Sequence, residues 1–486
     1  MSAHSDETKK SRIWSMPVLR NFAPPVEIPV DEGGVPSKVE VVPWNVPGST
    51  LRTKAGKARR GLYAPSLAGA PTTTRQAEIL NTAIIGPPTG TRGIVNGRDV
   101  LSRTRISYDP PTAYNSNPRE ITSPNVIIVG DVGSAKSSHT KCNYVLRPLL
   151  LNNRRAVVFD KKDQAGEGEY SNVTRHYGYE PIKFTADGSG TTLNLLDPMV
   201  ARGSGIQGMV RLLNIVTRIA RNDEPLTEWE EEALRAALRL TVSQSEDGRP
   251  AVLADVLPNL GMIVNDPEYR DLSERARDDL HRAGLNVRFT LNGLLDEYAG
   301  LLDGETSKNV DLNGKLTSFD ISQLPDEGPA VPVVMAIGNM WMIGRLKQER
   351  DSVTNCVYEE GWHMIGGPSA QLVKSNQKLS RALGISNIFV MHKGSDIPAD
   401  SPGMAIIQEA QTIVAYRQSR PEDARWVQQT FGLAPETAHT LENLRTGHYV
   451  FKYGSNPETH VQHIRSAWER SITDTDEGLA VGSRPE

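Results

Sequence analysis

Cysteine is nearly absent from this 486-residue chain: Cys142 and Cys356 are the only two. They are far apart and fit no metal-ligand spacing, and both lie in apolar segments. The expectation is two buried free thiols in a reducing cytosol. A long hydrophobic run is missing as well. The longest apolar stretch, Val331 to Ile343, is too short for a bilayer and contains Asn339. The opening residues MSAHSDETKK hold no apolar signal core. Together these predict a cytosolic protein without an integral membrane segment, held at a membrane only through a partner. A strong charge of one sign is also lacking. The net charge of −4 gives no global reason to bind nucleic acid, so any such contact needs a local patch. There is no internal repeat. A hydrophobic content of 38% with 23% charged residues is that of a globular protein, long enough for one large core or two to three domains.

Composition shifts divide the chain. Residues 1–60 carry seven prolines and little periodicity, and read as an extended arm. Its end, Arg52 to Arg60, holds five basic residues and no acidic one, which fits either a solvated linker or a contact for an anionic partner. Residues 61–120 are rich in Gly, Pro and Thr, with short strand candidates near Gly93–Val95 and Arg105–Tyr108. They read as a small N-terminal module on the main core. From there strands and helices alternate over 121–198 and 311–470, with strand candidates at Val126–Val129, Ala156–Asp160, Leu316–Ile321, Thr354–Tyr358, Asn387–Met391, Thr412–Tyr416 and Tyr449–Tyr453. Apolar runs such as 126–129 suit strands buried on both faces, so the pattern predicts an α/β fold with a doubly wound, mostly parallel sheet. Between 199 and 310 strand signals vanish. Thr227-Glu228-Trp229-Glu230 is a capping box after Pro225, opening a helix with Trp229, Ala233, Leu234, Ala237 and Leu238 on one face. This predicts an inserted all-helical subdomain. The tail, 471–486, is acidic and polar and reads as disordered.

The most informative stretch is Asn125 to Ser138, NVIIVGDVGSAKSS. An apolar strand runs into Gly130-Asp131-Val132-Gly133-Ser134-Ala135-Lys136-Ser137-Ser138, one residue away from the phosphate-binding P-loop G-x-x-x-x-G-K-[ST]. The loop's N–H groups and the helix start behind it surround phosphates. Lys136 supplies a point charge to them, and the Ser137 hydroxyl is a ligand for Mg²⁺. Ala135 replaces the last glycine, so weaker or altered nucleotide binding is expected rather than none. The bland alternative is a buried strand and turn with a chance Lys-Ser.

A P-loop needs an acidic strand end beside it, and Asn355-Cys356-Val357-Tyr358-Glu359-Glu360 offers one. Glu359 stands where an Asp usually helps hold Mg²⁺. It is one methylene longer, so a water-mediated contact is expected. Glu360 stands where a glutamate orients the attacking water. The next strand ends in His392, a candidate to sense the γ-phosphate, and Asp160-Lys161-Lys162-Asp163 should flank the same edge. Arg381 and Arg417 are two candidates for an arginine finger acting on a neighbouring subunit. Solvated strand ends and surface arginines are the alternative readings.

In this order the segments resemble the conjugative-transfer and type IV secretion ATPases of the TraC type, within the HerA–FtsK superfamily of RecA-like motors. The resemblance runs from roughly 86 to 465. It is carried by SPNVIIVGDVGSAKSSHTK, AVVFDKKDQAGEGEYSNVTRHYG, the turn Leu193-Asn194-Leu195-Leu196-Asp197-Pro198, YEEGWHMI, and Phe389-Val390-Met391-His392-Lys393-Gly394-Ser395-Asp396. Tyr416-Arg417-Gln418, Phe431-Gly432-Leu433 and Leu444-Arg445-Thr446-Gly447 follow. The resemblance implies ATP and Mg²⁺ bound at subunit interfaces of a homo-hexamer, docked on secretion-complex subunits at the cytoplasmic face of a membrane channel. Two other functions stay open. One is a degenerate nucleotide-binding scaffold, suggested by Ala135 and Glu359. The other is a HerA- or FtsK-type motor on double-stranded DNA, for which Lys315, Arg345, Lys347 and Arg350 are the nearest basic residues.

Overall fold

The computed structural model describes residues 92–474 apart from 246–248, 263–266, 313, 350–351, 395–396 and 399–400. The arm at 1–60 with its basic end, residues 61–91, Arg350, Ser395, Asp396 and the tail from 475 lie outside the described residues.

The strands are β1 Val95–Asp99, β2 Arg105–Ser107, β3 Val126–Val129, β4 Arg154–Asp160, β5 Asp163–Gln164, β6 Glu167–Gly168, β7 Ile182–Thr185, β8 Leu316–Gln323, β9 Val353–Tyr358, β10 Ile385–Met391, β11 Thr412–Ala415, β12 His448–Tyr453 and β13 Thr459–His463. All except the β5–β6 hairpin join one eleven-stranded sheet, ordered β2-β1-β13-β12-β11-β3-β10-β9-β4-β8-β7. The run from β11 to β7 is parallel. The strands β12, β13, β1 and β2 are added antiparallel at the β11 side. The stretch read as a small N-terminal module is therefore, from Val95 on, an edge of the main sheet. The strands RIS and THVQH are short and mostly polar, too brief for alternation to announce a shared sheet.

Alternation sorts the parallel strands onto two buried faces. Ile127, Val129, Val157, Phe159, Tyr358 and Phe389 enter one apolar cluster. Val126, Ile128, Val158, Val357, Ile388 and Val390 enter the other. On the first face Phe319, Phe159, Tyr358 and Phe389 stack in a row across β8, β4, β9 and β10, with ring centroids 4.9, 5.1 and 5.1 Å apart. They are register partners in the ladder. Their chain neighbours Asp160 and Glu359 begin the functional edge, so the ladder fixes the relative height of the strand ends. The helix Ala330–Leu346 lies over this row. A Cβ on its Gly338 would stand 2.7 Å from the Phe159 ring. The apolar stretch around Asn339 is thus a core helix, and the Asn339 amide nitrogen donates to the Tyr358 hydroxyl.

Helices Pro198–Ala220, Glu228–Gln244, Leu253–Leu260 and Glu274–Glu297 form the inserted region. Thr227 and Glu230 close the capping box in both directions, at 3.3 and 2.9 Å. Ala233, Leu234, Ala237 and Leu238 are fully buried, but Trp229 is 44% exposed. Trp229 sits in the first turn, where its ring clears the core that the later turns cover.

Candidate active site

Parallel strands bring the C-terminal ends of β3, β4, β9, β10 and β11 to one edge, and the predicted residues converge there with one exception. The loop after β3 is anchored by its neighbours. Gly130 N–H donates to the Met391 carbonyl at 3.3 Å, and Asp131 N–H to the Arg417 carbonyl at 2.8 Å. The Asp131 carboxylate accepts from Ser419 N–H at 2.7 Å. The Ser134 carbonyl accepts from Gly447 N–H at 3.2 Å, which seats the C-terminal Leu444–Gly447 turn against the loop. Gly130 must be glycine, since a Cβ would stand 2.4 Å from the Tyr416 Cβ. Val132 and Gly133 form the exposed tip. Ala135 has φ 80° and ψ 25°, the left-handed conformation in which a glycine costs nothing. The alanine therefore keeps the P-loop shape under strain.

Lys136, Ser137 and Ser138 open the helix Lys136–Thr140 and are buried. The Ser138 hydroxyl donates to the Ala135 carbonyl at 3.0 Å, tightening that turn. The Lys136 ammonium folds back on its own loop. It donates to the Gly130 carbonyl, to the Asp131 carbonyl at 2.7 Å, and to His392 Nδ1 at 3.2 Å. Burial pulls its pKa down to about 7, Lys162 adds to that, and Glu359, Glu360 and Asp131 oppose it.

His392 links two roles. With Lys136 charged, Nδ1 is the acceptor, so Nε2 carries the proton and donates to Glu360 Oε1 at 2.7 Å. Trp362 Nε1–H holds the other Glu360 oxygen at 3.1 Å. Burial opposes ionisation of Glu360, but His392, Lys162 and Trp362 together outweigh it and lower the pKa. Glu360 itself has φ 50°, a left-handed conformation at the end of β9. Such a backbone costs about 1–3 kcal/mol and persists only where its surroundings hold it, here the two side-chain contacts and the Gly361 N–H bond to the Val390 carbonyl at 2.8 Å.

Glu359 points the other way, into the core. Its Oε1 accepts from the Tyr170 hydroxyl at 2.6 Å, while its buried Oε2 has no hydrogen-bond partner. Burial pushes its pKa up, against the pull of Lys162. Tyr170 arrives there because the β5–β6 hairpin folds back under the loop. Two strand-end aspartates staple it: Asp320 accepts from Gly168 N–H at 3.0 Å and Asp160 from Tyr170 N–H at 2.7 Å. A Cβ at Gly168 would stand 2.2 Å from Asp160 Oδ2. The same segment delivers Lys162, whose ammonium donates to Ser137 Oγ at 2.9 Å.

The donor set fits a hard cation. Ser137 Oγ accepts only one proton there, and Glu359 Oε2 is an orphaned buried oxygen. Among the described residues no three His, Cys, Asp or Glu side chains converge on one metal position. A P-loop site does not need them, because its Mg²⁺ takes ligands from the hydroxyl and the phosphates.

Arg417 stands beside the loop as part of its wall. Arg381 is the exception. It ends the helix before β10, at the opposite edge of the sheet, and its guanidinium lies 3.4 Å from the Thr122 carbonyl. The seven residues of β10 separate it from His392 by roughly 20 Å. Sequence reasoning missed Tyr170, Trp362 and the contact of Lys162 with Ser137. The aromatic pair lay inside the quoted segments AGEGEY and YEEGWHMI, where the carboxylates drew the attention.

No protein-family model and no curated protein sequence matches this chain. Among solved structures it is similar to VirB4 of Thermoanaerobacter pseudethanolicus, with a TM-score of 0.62 at 17% identity, over 79% of this chain and 99% of that one. It is also similar to the plasmid coupling protein TrwB in complex with ADP and Mg²⁺, with a TM-score of 0.53 at 14% identity, over 77% and 91%. The fold is that of VirB4 and TrwB. It is the RecA-like P-loop arrangement expected from the sequence, with the strand order and helical insertion described above. At these identities the likeness is one of fold. Among the described residues no helix is long and apolar enough to cross a membrane.

Proposed function

We propose that the chain is a Mg²⁺-dependent ATPase, the motor subunit of a homo-hexamer that energises conjugative DNA transfer or type IV-like secretion from the cytoplasmic face of a membrane channel. The observation that carries this reading is the continuous Lys136–His392–Glu360 chain at the P-loop edge. It joins the residue that would grip phosphate to the one that would activate water. VirB4 and the plasmid coupling protein TrwB, the latter in complex with ADP and Mg²⁺, share the fold.

On ATP binding Lys136 exchanges its loop carbonyls for β- and γ-phosphate oxygens. That withdraws its hydrogen bond from His392 Nδ1, so His392 reports the γ-phosphate to Glu360. Glu360 accepts a proton from the attacking water as the water oxygen bonds to the γ-phosphorus. The bond from that phosphorus to the ADP oxygen breaks. Ser137 and Glu359 would hold Mg²⁺, which when bound neutralises charge on the phosphate oxygens. Arg417 lies in the wall of its own site, whereas Arg381, about 20 Å from His392, takes no part in the site of its own chain.

A second reading, a non-hydrolysing nucleotide-binding scaffold, is favoured by one observation: Ala135 holds a strained loop while Lys136 is tied back on it. A direct double-stranded DNA motor draws less support. Lys315 donates to the Leu149 carbonyl at 3.4 Å and Arg345 pairs with Glu349 at 2.9 Å, so these basic residues serve local contacts. Calorimetry of ATP binding beside steady-state turnover tests the proposal. Binding with turnover supports the motor, binding without turnover the scaffold, and no binding with an intact fold removes both.

A further inference from the structure

The proposed hydrolysis gives the ammonium of Lys162 no role, yet its position is distinctive. It is mostly buried and donates to Ser137 Oγ at 2.9 Å, the one hydroxyl a P-loop offers to a metal ion. It faces Glu169 Oε1 at 3.9 Å, and the charges of Glu359, Glu360 and Asp160 act on it as well. A second buried ammonium, Lys141, sits behind it, 3.6 Å from Glu169 Oε2 and over the Tyr170 ring. The carboxylates around Lys162 are thus already balanced by cations that belong to the chain. The hairpin β5–β6 fixes Lys162 there, since its neighbours Asp160 and Tyr170 are stapled to each other.

A polyanion entering this site meets carboxylates that repel it. A divalent ion ordinarily cancels that field. We propose that the Lys162 ammonium is a tethered cation that does this work, so that the chain binds nucleotide without Mg²⁺, and Mg²⁺ reaches Ser137 only by displacing Lys162. The inference rests on the nucleotide-site reading above and extends it. It makes metal a requirement of the chemical step rather than of binding.

The test is the affinity of full-length protein for a fluorescent N-methylanthraniloyl ATP, in EDTA and in excess Mg²⁺. For the wild type the two affinities are expected to agree within about threefold. Lys162→Met should bind about thirtyfold or more weakly in EDTA and recover with Mg²⁺, while Lys162→Arg, which keeps the charge, should behave as the wild type. Mn²⁺ titration followed by electron paramagnetic resonance gives a readout independent of nucleotide. Lys162→Met should take up Mn²⁺ in the absence of nucleotide, and the wild type should not. Wild-type binding that collapses in EDTA overturns the inference while leaving the nucleotide site standing. No wild-type binding in either condition overturns both. The wild-type comparison decides even where Lys162→Met fails to fold.

Discussion

Replacing Ala135 with glycine is expected to stabilise the protein and tighten nucleotide binding together. Ala135 holds φ 80° and ψ 25° in the P-loop turn. A residue with a Cβ pays about 1–2 kcal/mol for that conformation. Glycine relieves the strain but gains freedom in the unfolded chain, worth about 0.4–1 kcal/mol in the opposite direction. The methyl group is only partly buried, so its loss removes little packing. The net expectation is a gain of about 0.5–1 kcal/mol. The Ala135 carbonyl contacts to Ser138 Oγ and His139 N–H survive the change, because both use the backbone. Gly133 is the matched control. It has φ 76°, and a Cβ there would meet nothing within 4 Å. Gly133→Ala therefore isolates backbone strain and should cost what Ala135→Gly gains. Urea unfolding followed by tryptophan fluorescence reads both, and calorimetry with ATP reads affinity. The reasoning is refuted by an Ala135→Gly variant that is less stable than the wild type, or by a Gly133→Ala variant without cost.

Other expectations follow from the same geometry. His392→Ala should lower kcat by about ten- to a hundredfold, and His392→Gln should recover part of it, because an amide can accept from Lys136 and donate to Glu360; equal loss in both variants would deny the relay. Burial holds His139 well below its usual pKa and His363 at about 4. The unfolded chain then takes up protons first as pH falls below about 6.5, so stability is whole above that value and declines toward pH 4, by up to ~1.4 kcal/mol per pH unit for each histidine. A urea midpoint that stays flat between pH 7 and 5 would contradict this. Asp109 caps the helix Pro110–Tyr114 through Thr112 N–H at 3.1 Å and pairs with buried Arg154. Asp109→Ala leaves that guanidinium unpaired and should cost about 3–5 kcal/mol in urea unfolding.

The sequence made the parallel sheet readable because its strands are apolar on both faces and end in polar residues, as VIIVGD and VYEEG do. Glu359, Glu360 and His392 could be placed because each follows one of those strands directly, and Lys136 and Ser137 because the spacing of the loop after Val129 locates them. What escaped has physical reasons. The strand Ile182–Thr185 is four residues long, and Thr459–His463, inside the sheet between β1 and β12, is mostly polar. Trp229 matched the helical period but lay in the first turn, where it is only partly covered. Lys162 and Tyr170 reach the site through a two-residue hairpin held by Asp160 and Asp320, and no sequence spacing announces a contact of that kind. The direction of the Glu359 and Glu360 side chains was equally hidden, since adjacent residues at a strand end leave toward opposite faces. Arg381 shows the limit of adjacency along the chain, because a helix that precedes a strand ends at the edge away from the phosphate loop.

The central claim is that Glu360 activates water for a nucleotide gripped by Lys136. The most direct test is ATP turnover by the wild type and by Glu360→Gln, with ATP affinity measured on the same samples. Glu360→Gln is isosteric and keeps an acceptor for His392. The account predicts wild-type hydrolysis, a loss of about a hundredfold or more in the variant, and ATP affinity within a few-fold of the wild type. A variant that turns over ATP as the wild type does, or a wild type that binds ATP and never hydrolyses it, would contradict the account.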